Sequence, residues 1–331
     1  MSDAVLHVEE LRAHFFTPEG VVKAVNGVSF DLPRGSTLAI LGESGCGKTS
    51  LALAILNLLP HPGRIVAGRV FLEGVDISGL KDEEIRRLRG RDIAMIFQDP
   101  VSGLNPVLPV GVQVEEIITT HLAVPRREAK RRSLEVLSQM GLPDPEQVAD
   151  SYPFHLSGGM CQRVMIAIAT ALNPKVLIAD EPASALDVTV QAAILHELEE
   201  LRRRHGTSIL LITHDLGVVA QMAQRVAVMY AGSIVESGDS AQIFQRPRHP
   251  YTWALLSSRP RLDRDHHRRP LPSIPGSPPN LLELGEECPF VPRCPKALNR
   301  CRQEPAPPLA RLAPNHLAAC YNPVQHEDGE G

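Results

Sequence analysis

The sequence predicts an α/β fold built on a mainly parallel β-sheet, and two observations support this prediction. First, short apolar runs at Thr37–Leu41, Val176–Ala179 and Ser208–Thr213 alternate with helical patterns such as Val188–Arg204. Second, these runs are apolar without a break. Such runs are typical of parallel strands whose sheet carries helices on both faces.

The N-terminal elements follow in an order that suits this fold. Val21–Phe30 is rich in apolar and β-branched residues and predicts a strand. A glycine-rich turn at 42–47 then separates the strand Thr37–Leu41 from an apolar helix, which we expect to run from about Thr49 to Leu59.

Two changes of pattern divide the chain further. From about 99 to 163 the sequence is mostly helical, and we interpret this stretch as a helical subdomain inserted into the sheet domain. After about Pro247 prolines accumulate, a basic run occupies 261–269, and cysteines follow. We therefore predict a sheet domain with an antiparallel edge at 1–262 and a Pro- and Cys-rich extension at 263–331.

Composition and charge exclude several classes of protein. The formal net charge of the 331 residues is −4, so there is no general basic field to attract nucleic acid. The N-terminus MSDAVLHVEE is polar and acidic, unlike a secretory signal. No stretch approaches the roughly 18 unbroken apolar residues of a membrane span. We expect a soluble protein whose role at a membrane depends on partners.

The segment Gly42-Glu-Ser-Gly-Cys-Gly-Lys48-Thr49 has the spacing G-x-x-x-x-G-K-[ST] and lies between a predicted strand and helix. Its glycines let backbone N–H groups surround phosphate groups, which the positive end of the helix also attracts. We predict that Lys48 binds the β- and γ-phosphates of ATP and that Thr49 ligates Mg²⁺, in a fold of the P-loop NTPase (RecA-like) type. The predicted nucleotide contacts in this segment are Gly42, Ser44, Gly45, Cys46, Gly47, Lys48, Thr49 and Ser50.

A second apolar strand, Val176–Ala179, ends in the two carboxylates Asp180 and Glu181. The carboxyl edge of a parallel sheet is where α/β folds bind ligands. Asp180 therefore suits the Mg²⁺ shell, and Glu181 suits the role of general base toward the attacking water. Strands often end in a solvated Asp, so only the P-loop in the same chain makes this interpretation strong.

The segment Leu156-Ser-Gly-Gly-Met-Cys-Gln-Arg163 precedes a buried helix and resembles the LSGGQ signature of ABC ATPases. Ser157 is a good helix N-cap, and Gly158 and Gly159 permit close approach of an anion. The resemblance implies that these three residues bind the ATP held by a partner subunit, because ABC domains pair head to tail. Met160 replaces the usual glutamine, a variant that resembles peptide-importer subunits.

The remaining markers of the ABC family occur in order, and the resemblance implies a role for each. Gln98 matches the Q-loop glutamine that contacts Mg²⁺ and water, and His214 matches the switch histidine at the γ-phosphate. Ser184–Asp187 matches the D-loop at the dimer interface. Phe16, with Phe15 as the alternative, matches the aromatic residue that stacks on adenine.

The late cysteines form a second candidate site. Cys288, Cys294, Cys301 and Cys320 follow the spacing C-x5-C-x6-C-x18-C. Four thiolates suit either a zinc ion or a four-iron–four-sulfur cluster. The absence of a C-x2-C pair favours the iron–sulfur cluster, with zinc or four unrelated buried thiols as alternatives.

Three C-terminal segments resemble the dipeptide/oligopeptide importer ATPases, a subfamily that also includes nickel importers and some members with an iron–sulfur cluster here. They begin at His249, Ile274 and Cys288. The resemblance implies an ATPase at the cytoplasmic face of the membrane that energises peptide uptake. Its expected partners are two permease subunits, a second, related ATPase in a heterodimer, and indirectly an extracytoplasmic binding protein.

Two alternatives remain open at this point. Nickel import is possible within the same subfamily, because the cargo is selected by subunits that this chain does not encode. A non-transport ABC ATPase acting on nucleic acid or the ribosome belongs to a different class. Such proteins typically carry two cassettes or a long coiled coil, whereas this chain has one cassette and a negative net charge.

Overall fold

A computed structural model describes residues 4–184, 186–258 and 273–326 of the protein. The strands are β1 (Ala4–Thr17), β2 (Gly20–Pro33), β3 (Thr37–Leu41), β4 (Gly63–Leu72), β5 (Val75–Asp76), β6 (Ile93–Ile96), β7 (Val176–Asp180), β8 (Ser208–Thr213), β9 (Arg225–Tyr230), β10 (Ser233–Asp239), β11 (Ala310–Ala313) and β12 (His316–Ala318). The helices are α1 (Lys48–Ile55), α2 (Asp82–Leu88), α3 (Val110–His121), α4 (Arg126–Gln139), α5 (Pro145–Asp150), α6 (Gly158–Thr170), α7 (Val188–His205), α8 (Leu216–Met222), α9 (Ser240–Gln245), α10 (Pro250–Ser257) and α11 (Arg300–Gln303).

The chain groups into two compact units, each assembled from three segments. Unit 1 comprises Met1–His7, Asp31–Thr37 and Val70–Thr213; unit 2 comprises Val8–Phe30, Leu38–Arg69 and His214–Gly331. The predicted domain boundary at 262–263 and the basic run 261–269 lie outside the described residues.

Unit 1 contains three adjacent parallel strands in the order β6-β7-β8. Every residue of these strands is buried, which explains their unbroken apolar sequence. Because the strands are parallel, their carboxyl ends meet at one edge. The prediction of parallel strands is confirmed here.

Helices α3 to α5 pack on one another within the predicted helical subdomain. A Cβ atom on Gly111 of α3 would lie 2.7 Å from Cβ of Ala149 in α5, so only glycine permits this close approach. The Ser133 hydroxyl of α4 donates a hydrogen bond to the carbonyl oxygen of Gly111.

Unit 2 contains the sheet order β3-β9-β10-β12-β11. Strand β9 is parallel to β3 and antiparallel to β10, and β12 pairs antiparallel with β10. The larger part of each of the strands β2, β1 and β4, which pair in that order, also belongs to this unit. The mixed sheets agree with the expected antiparallel edge. No helix in the described ranges combines the length and apolar character needed to cross a bilayer.

Candidate functional site

The P-loop (Gly42–Thr49) connects β3 to α1 within unit 2. Gly47 precedes the helix with a φ of 104°, a left-handed value that disfavours L side chains. A Cβ atom there would lie 2.0 Å from the carbonyl oxygen of Ala24. The loop therefore requires glycine at this position for steric reasons as well as for its backbone angles.

The ammonium group of Lys48 lies inside this loop. Lys48 is buried, and its Nζ donates hydrogen bonds to the carbonyl oxygens of Gly42 at 2.7 Å and Glu43 at 3.0 Å. Ser44, Gly45 and Thr49 are exposed, whereas Cys46 is buried and Ser50 is half-buried. The predicted ligand of Mg²⁺, Thr49, is therefore accessible, and Lys48 is held by backbone oxygens.

The two predicted catalytic carboxylates stand at the end of β7 in unit 1, and both are buried. Glu181 has a φ of 48° and donates its backbone N–H to the carbonyl oxygen of Ile212 at 2.8 Å. The Thr213 hydroxyl donates to Oε2 of Glu181 at 3.2 Å. Two contacts from the end of β8 therefore fix the orientation of Glu181.

Gln98 joins these carboxylates at the same edge of the sheet. It follows β6, the strand beside β7, and its side chain is exposed. His214 follows Thr213 directly after β8 and is also exposed. The structure thus brings Gln98, Asp180 and Glu181 to the carboxyl ends of neighbouring parallel strands.

The predicted signature residues begin helix α6. The hydroxyl oxygen of Ser157 accepts a hydrogen bond from the Met160 N–H at 3.3 Å, as an N-cap does. Gly158 has open space where a Cβ would stand, and Gly159 approaches Val190. Ser157 and Gly158 are exposed, so a ligand can reach this helix terminus.

The predicted adenine contact lies on β1. Phe16 is exposed, and the Arg64 guanidinium lies 3.9 Å from the centroid of its ring. The alternative residue, Phe15, contacts the backbone at Gly63 closely enough that a Cβ there would lie 2.7 Å from its ring. Phe16 is thus the more accessible of the two. In the predicted D-loop, Ala185 lies outside the described residues.

All four late cysteines line one small cavity of about 20 Å³ in unit 2. Burial raises the pKa of the Cys288 and Cys294 thiols, and it raises that of Cys320 to about 11. Nearby thiolates contribute to each of these shifts, which agrees with their shared cavity. Across the ranges 4–184, 186–258 and 273–326, no three or more His, Cys, Asp or Glu side chains are grouped so as to hold a metal ion.

Two residues of the site escaped prediction from the sequence. Thr213 binds Glu181 across 32 positions of chain. Arg293 binds Glu43 of the P-loop across 250 positions. The separation along the sequence does not identify either pair as partners. The order of the elements, in which β7 and β8 are neighbours, is the one signal that could have suggested Thr213.

Comparison with known proteins places these features in a family. The family described as ABC transporter matches residues 25–184, and the family described as oligopeptide/dipeptide transporter, C-terminal region, matches residues 235–301. The oligopeptide transport ATP-binding protein OppD of Escherichia coli is 47% identical over 98% of this chain and 95% of its own length. A probable peptide ABC transporter ATP-binding protein of Sinorhizobium fredii, y4tR, is 48% identical over 97% of this chain and 95% of its length.

A solved structure extends the comparison to three dimensions. The ATP-binding cassette MJ0796, a dimer in a post-hydrolysis state bound to ADP and phosphate, matches with a TM-score of 0.65 at 27% identity, covering 71% of this chain and 98% of MJ0796. The family matches, the relatives aligned over nearly their whole length and the similar solved structure all indicate the same family. This chain belongs to the ABC transporter family, as an ATP-binding protein of its oligopeptide/dipeptide branch.

Proposed function

We propose that this protein hydrolyses ATP to energise the uptake of dipeptides or oligopeptides through separate permease subunits. The observation that carries the proposal is the near-complete alignment with a peptide-transport ATPase, which includes both the P-loop and the C-terminal region typical of peptide transporters. Specificity for peptide length depends on partner subunits.

In this proposal the P-loop binds the ATP phosphates. Lys48 exchanges its two backbone oxygen partners for the β- and γ-phosphate oxygens, since its ammonium is buried and needs acceptors. Thr49, Asp180 and Gln98 are the residues that would hold Mg²⁺. That ion would neutralise charge on the phosphates. Phe16 would stack on the adenine ring.

Glu181 is proposed as the general base toward water. Its carboxylate accepts a hydrogen bond from Thr213 and its backbone N–H donates to Ile212, so the carboxylate has a defined orientation. A fixed carboxylate can orient the attacking water and take its proton, while His214 contacts the γ-phosphate.

The second half of each nucleotide site is proposed to come from a partner. The exposed N-terminus of α6, with Ser157, Gly158 and Gly159, suits the ATP held by another ATPase subunit. The dimeric state of the similar cassette MJ0796 supports this arrangement. We infer a heterodimer with a related ATPase at the cytoplasmic face of the membrane, bound to two permease subunits. An extracytoplasmic binding protein would deliver the cargo to these permease subunits.

A Glu181→Gln variant tests the assignment. ATP turnover is expected to fall by at least about 100-fold, because a general base contributes this much, while binding of ATP persists. Glu19→Gln, in the exposed turn between β1 and β2, is the matched control. Unchanged turnover in Glu181→Gln would refute the role. Peptide uptake by vesicles with the whole transporter tests the cargo, and uptake of nickel instead of peptide would refute peptide import.

We further propose that Cys288, Cys294, Cys301 and Cys320 hold a four-iron–four-sulfur cluster. The supporting observation is that the four thiols line one cavity, where burial and, to a smaller extent, neighbouring thiolates raise the pKa of Cys288, Cys294 and Cys320. A cationic group among the thiolates would relieve their mutual repulsion. Iron and acid-labile sulfide should be close to four per chain after anaerobic purification and should be lost in Cys294→Ser. Stoichiometric zinc, or no metal, would refute the cluster.

A further inference from the structure

The side chain of Arg293 joins the C-terminal extension to the P-loop. Its Nη1 and Nη2 donate to the two carboxylate oxygens of Glu43 at 2.7 and 3.0 Å. The Arg293 side chain is only 5% exposed and that of Glu43 is 23% exposed. Bidentate pairs of this kind are among the strongest hydrogen-bonded contacts, and here solvent screens the pair little.

The guanidinium is fixed from the extension side as well. Arg293 ends the 3₁₀ turn Val291–Arg293, and its Nε donates to the carbonyl oxygen of Pro275 at 2.9 Å. Its Nη1 also donates to the Tyr230 hydroxyl at 3.2 Å. A planar guanidinium held at three groups has one orientation, and Arg293 therefore imposes a position on Glu43.

Glu43 is in turn held at its three polar groups. Its carboxylate binds Arg293, its backbone N–H donates to the Tyr251 hydroxyl at 2.9 Å, and its carbonyl accepts from Lys48 at 3.0 Å. Arg293 is thus separated by a single residue, Glu43, from the lysine that the proposed function places on the phosphates.

We propose that Arg293 is a positioning residue of the nucleotide site, which holds the P-loop through Glu43 in the conformation that binds ATP. Two effects act together. The ion pair restricts the loop to one backbone conformation, so a larger fraction of the protein is competent to bind. It also neutralises the Glu43 carboxylate, which would otherwise repel the phosphates. The inference rests on the proposed ATP site and needs no metal at the cysteines.

The variants Arg293→Met, Glu43→Gln and their double variant test the proposal, with the Kd of a fluorescent ATP analogue in the presence of Mg²⁺ as the readout. Arg293→Met leaves an unpaired carboxylate beside the phosphates and should raise Kd at least about fivefold, within the range of coupling between protein sites. Glu43→Gln should raise it less, because the charge left unpaired is then the positive guanidinium of Arg293, which does not repel the phosphates. The double variant should bind better than Arg293→Met alone, and kcat at saturating ATP should change less than KM.

Arg300→Met is the matched control, because Arg300 lies in the same extension and pairs with Glu304 on the surface. It should leave Kd unchanged. A merely structural role for Arg293 predicts that Glu43→Gln gives no rescue, and this result, or an unchanged Kd in Arg293→Met, would overturn the inference. Failure of the wild-type protein to bind ATP would instead refute the proposed function. Thermal unfolding of each variant identifies loss of fold.

Discussion

Acidification is expected to destabilise the protein through the buried imidazole of His249. This residue is 1% exposed and caps helix α10, where its Nδ1 accepts a hydrogen bond from the Tyr251 N–H at 3.1 Å. Burial lowers its pKa to about 4, although the Glu236 carboxylate acts in the opposite direction. The neutral ring is therefore the form that the fold accommodates, because a proton on Nδ1 would remove the cap.

The sign and size of the effect follow from the difference in pKa between the folded and unfolded states. The unfolded chain binds the proton near pH 6.5 and the folded chain near pH 4, so the unfolded state gains protons first as the pH falls. The contribution of His249 to stability is present above pH 6.5 and is lost progressively down to pH 4. The loss of stability amounts to about 2 kcal/mol at pH 5 and about 3 kcal/mol at pH 4, at 1.36 kcal/mol per pKa unit.

The matched variant is His249→Asn, because asparagine is a good N-cap and does not titrate. Urea unfolding at pH 7 and pH 5 gives the free energy of unfolding of both proteins. The wild type should lose about 2 kcal/mol more than the variant over this interval. Carboxylates such as Glu236 are present in both proteins, so their contribution cancels in the difference. Equal losses in the two proteins would refute the assignment of the pH response to His249.

Two further changes test the local geometry of the site. Thr213→Val keeps the shape of the side chain but removes the hydrogen bond to Glu181. The kcat should therefore fall about tenfold with the KM for ATP unchanged, which corresponds to a rise of about 1.4 kcal/mol in the activation free energy. An equal rise in KM would contradict a role confined to the general base. Gly206→Ala should lower the free energy of unfolding by about 1–2 kcal/mol, the cost of an alanine in a left-handed conformation. Gly47→Ala should lower it by more, because a Cβ at Gly47 would meet the Ala24 carbonyl oxygen while the space at Gly206 is open. Equal costs in urea unfolding would contradict the steric argument.

Features set by neighbouring residues could be predicted from the sequence. The strands Thr37–Leu41 and Ser208–Thr213 were predicted with the bounds that the structure shows. Their apolar runs and flanking glycines or prolines act locally. Helix α1, by contrast, ends at Ile55 rather than near Leu59, because Asn57 adopts a left-handed φ of 51°. Helical periodicity alone does not reveal which asparagine will end a helix.

Contacts between distant parts of the chain could not be predicted in the same way. The P-loop sequence permits a carboxylate at Glu43 whichever residue pairs with it. The residues around Arg293 do not indicate that Glu43 is the partner of Arg293. The same holds for the strand pairing that joins the extension to unit 2, in which β12 adds to β10 in antiparallel register with Glu236 opposite Ala318. Strand pairing over some 80 residues is a property of the packed unit and has no local signature.

The attachment of the extension also has an energetic basis. The described part of the extension, 273–326, is rich in proline and buries few large apolar side chains, of which Phe290 packs against Tyr230 and Tyr251 with ring centroids 5.3 and 5.4 Å apart. Polar contacts supply the rest of the attachment. Buried Glu236 accepts a hydrogen bond from His316 at 2.7 Å, and a carboxylate is costly to bury without such partners. The same tyrosines contact Arg293 and Glu43 through their hydroxyl groups. Tyr230, Tyr251 and Arg293 therefore take part both in holding the extension and in holding the P-loop. A change that loosens the extension at these residues is expected to weaken ATP binding before it unfolds the unit.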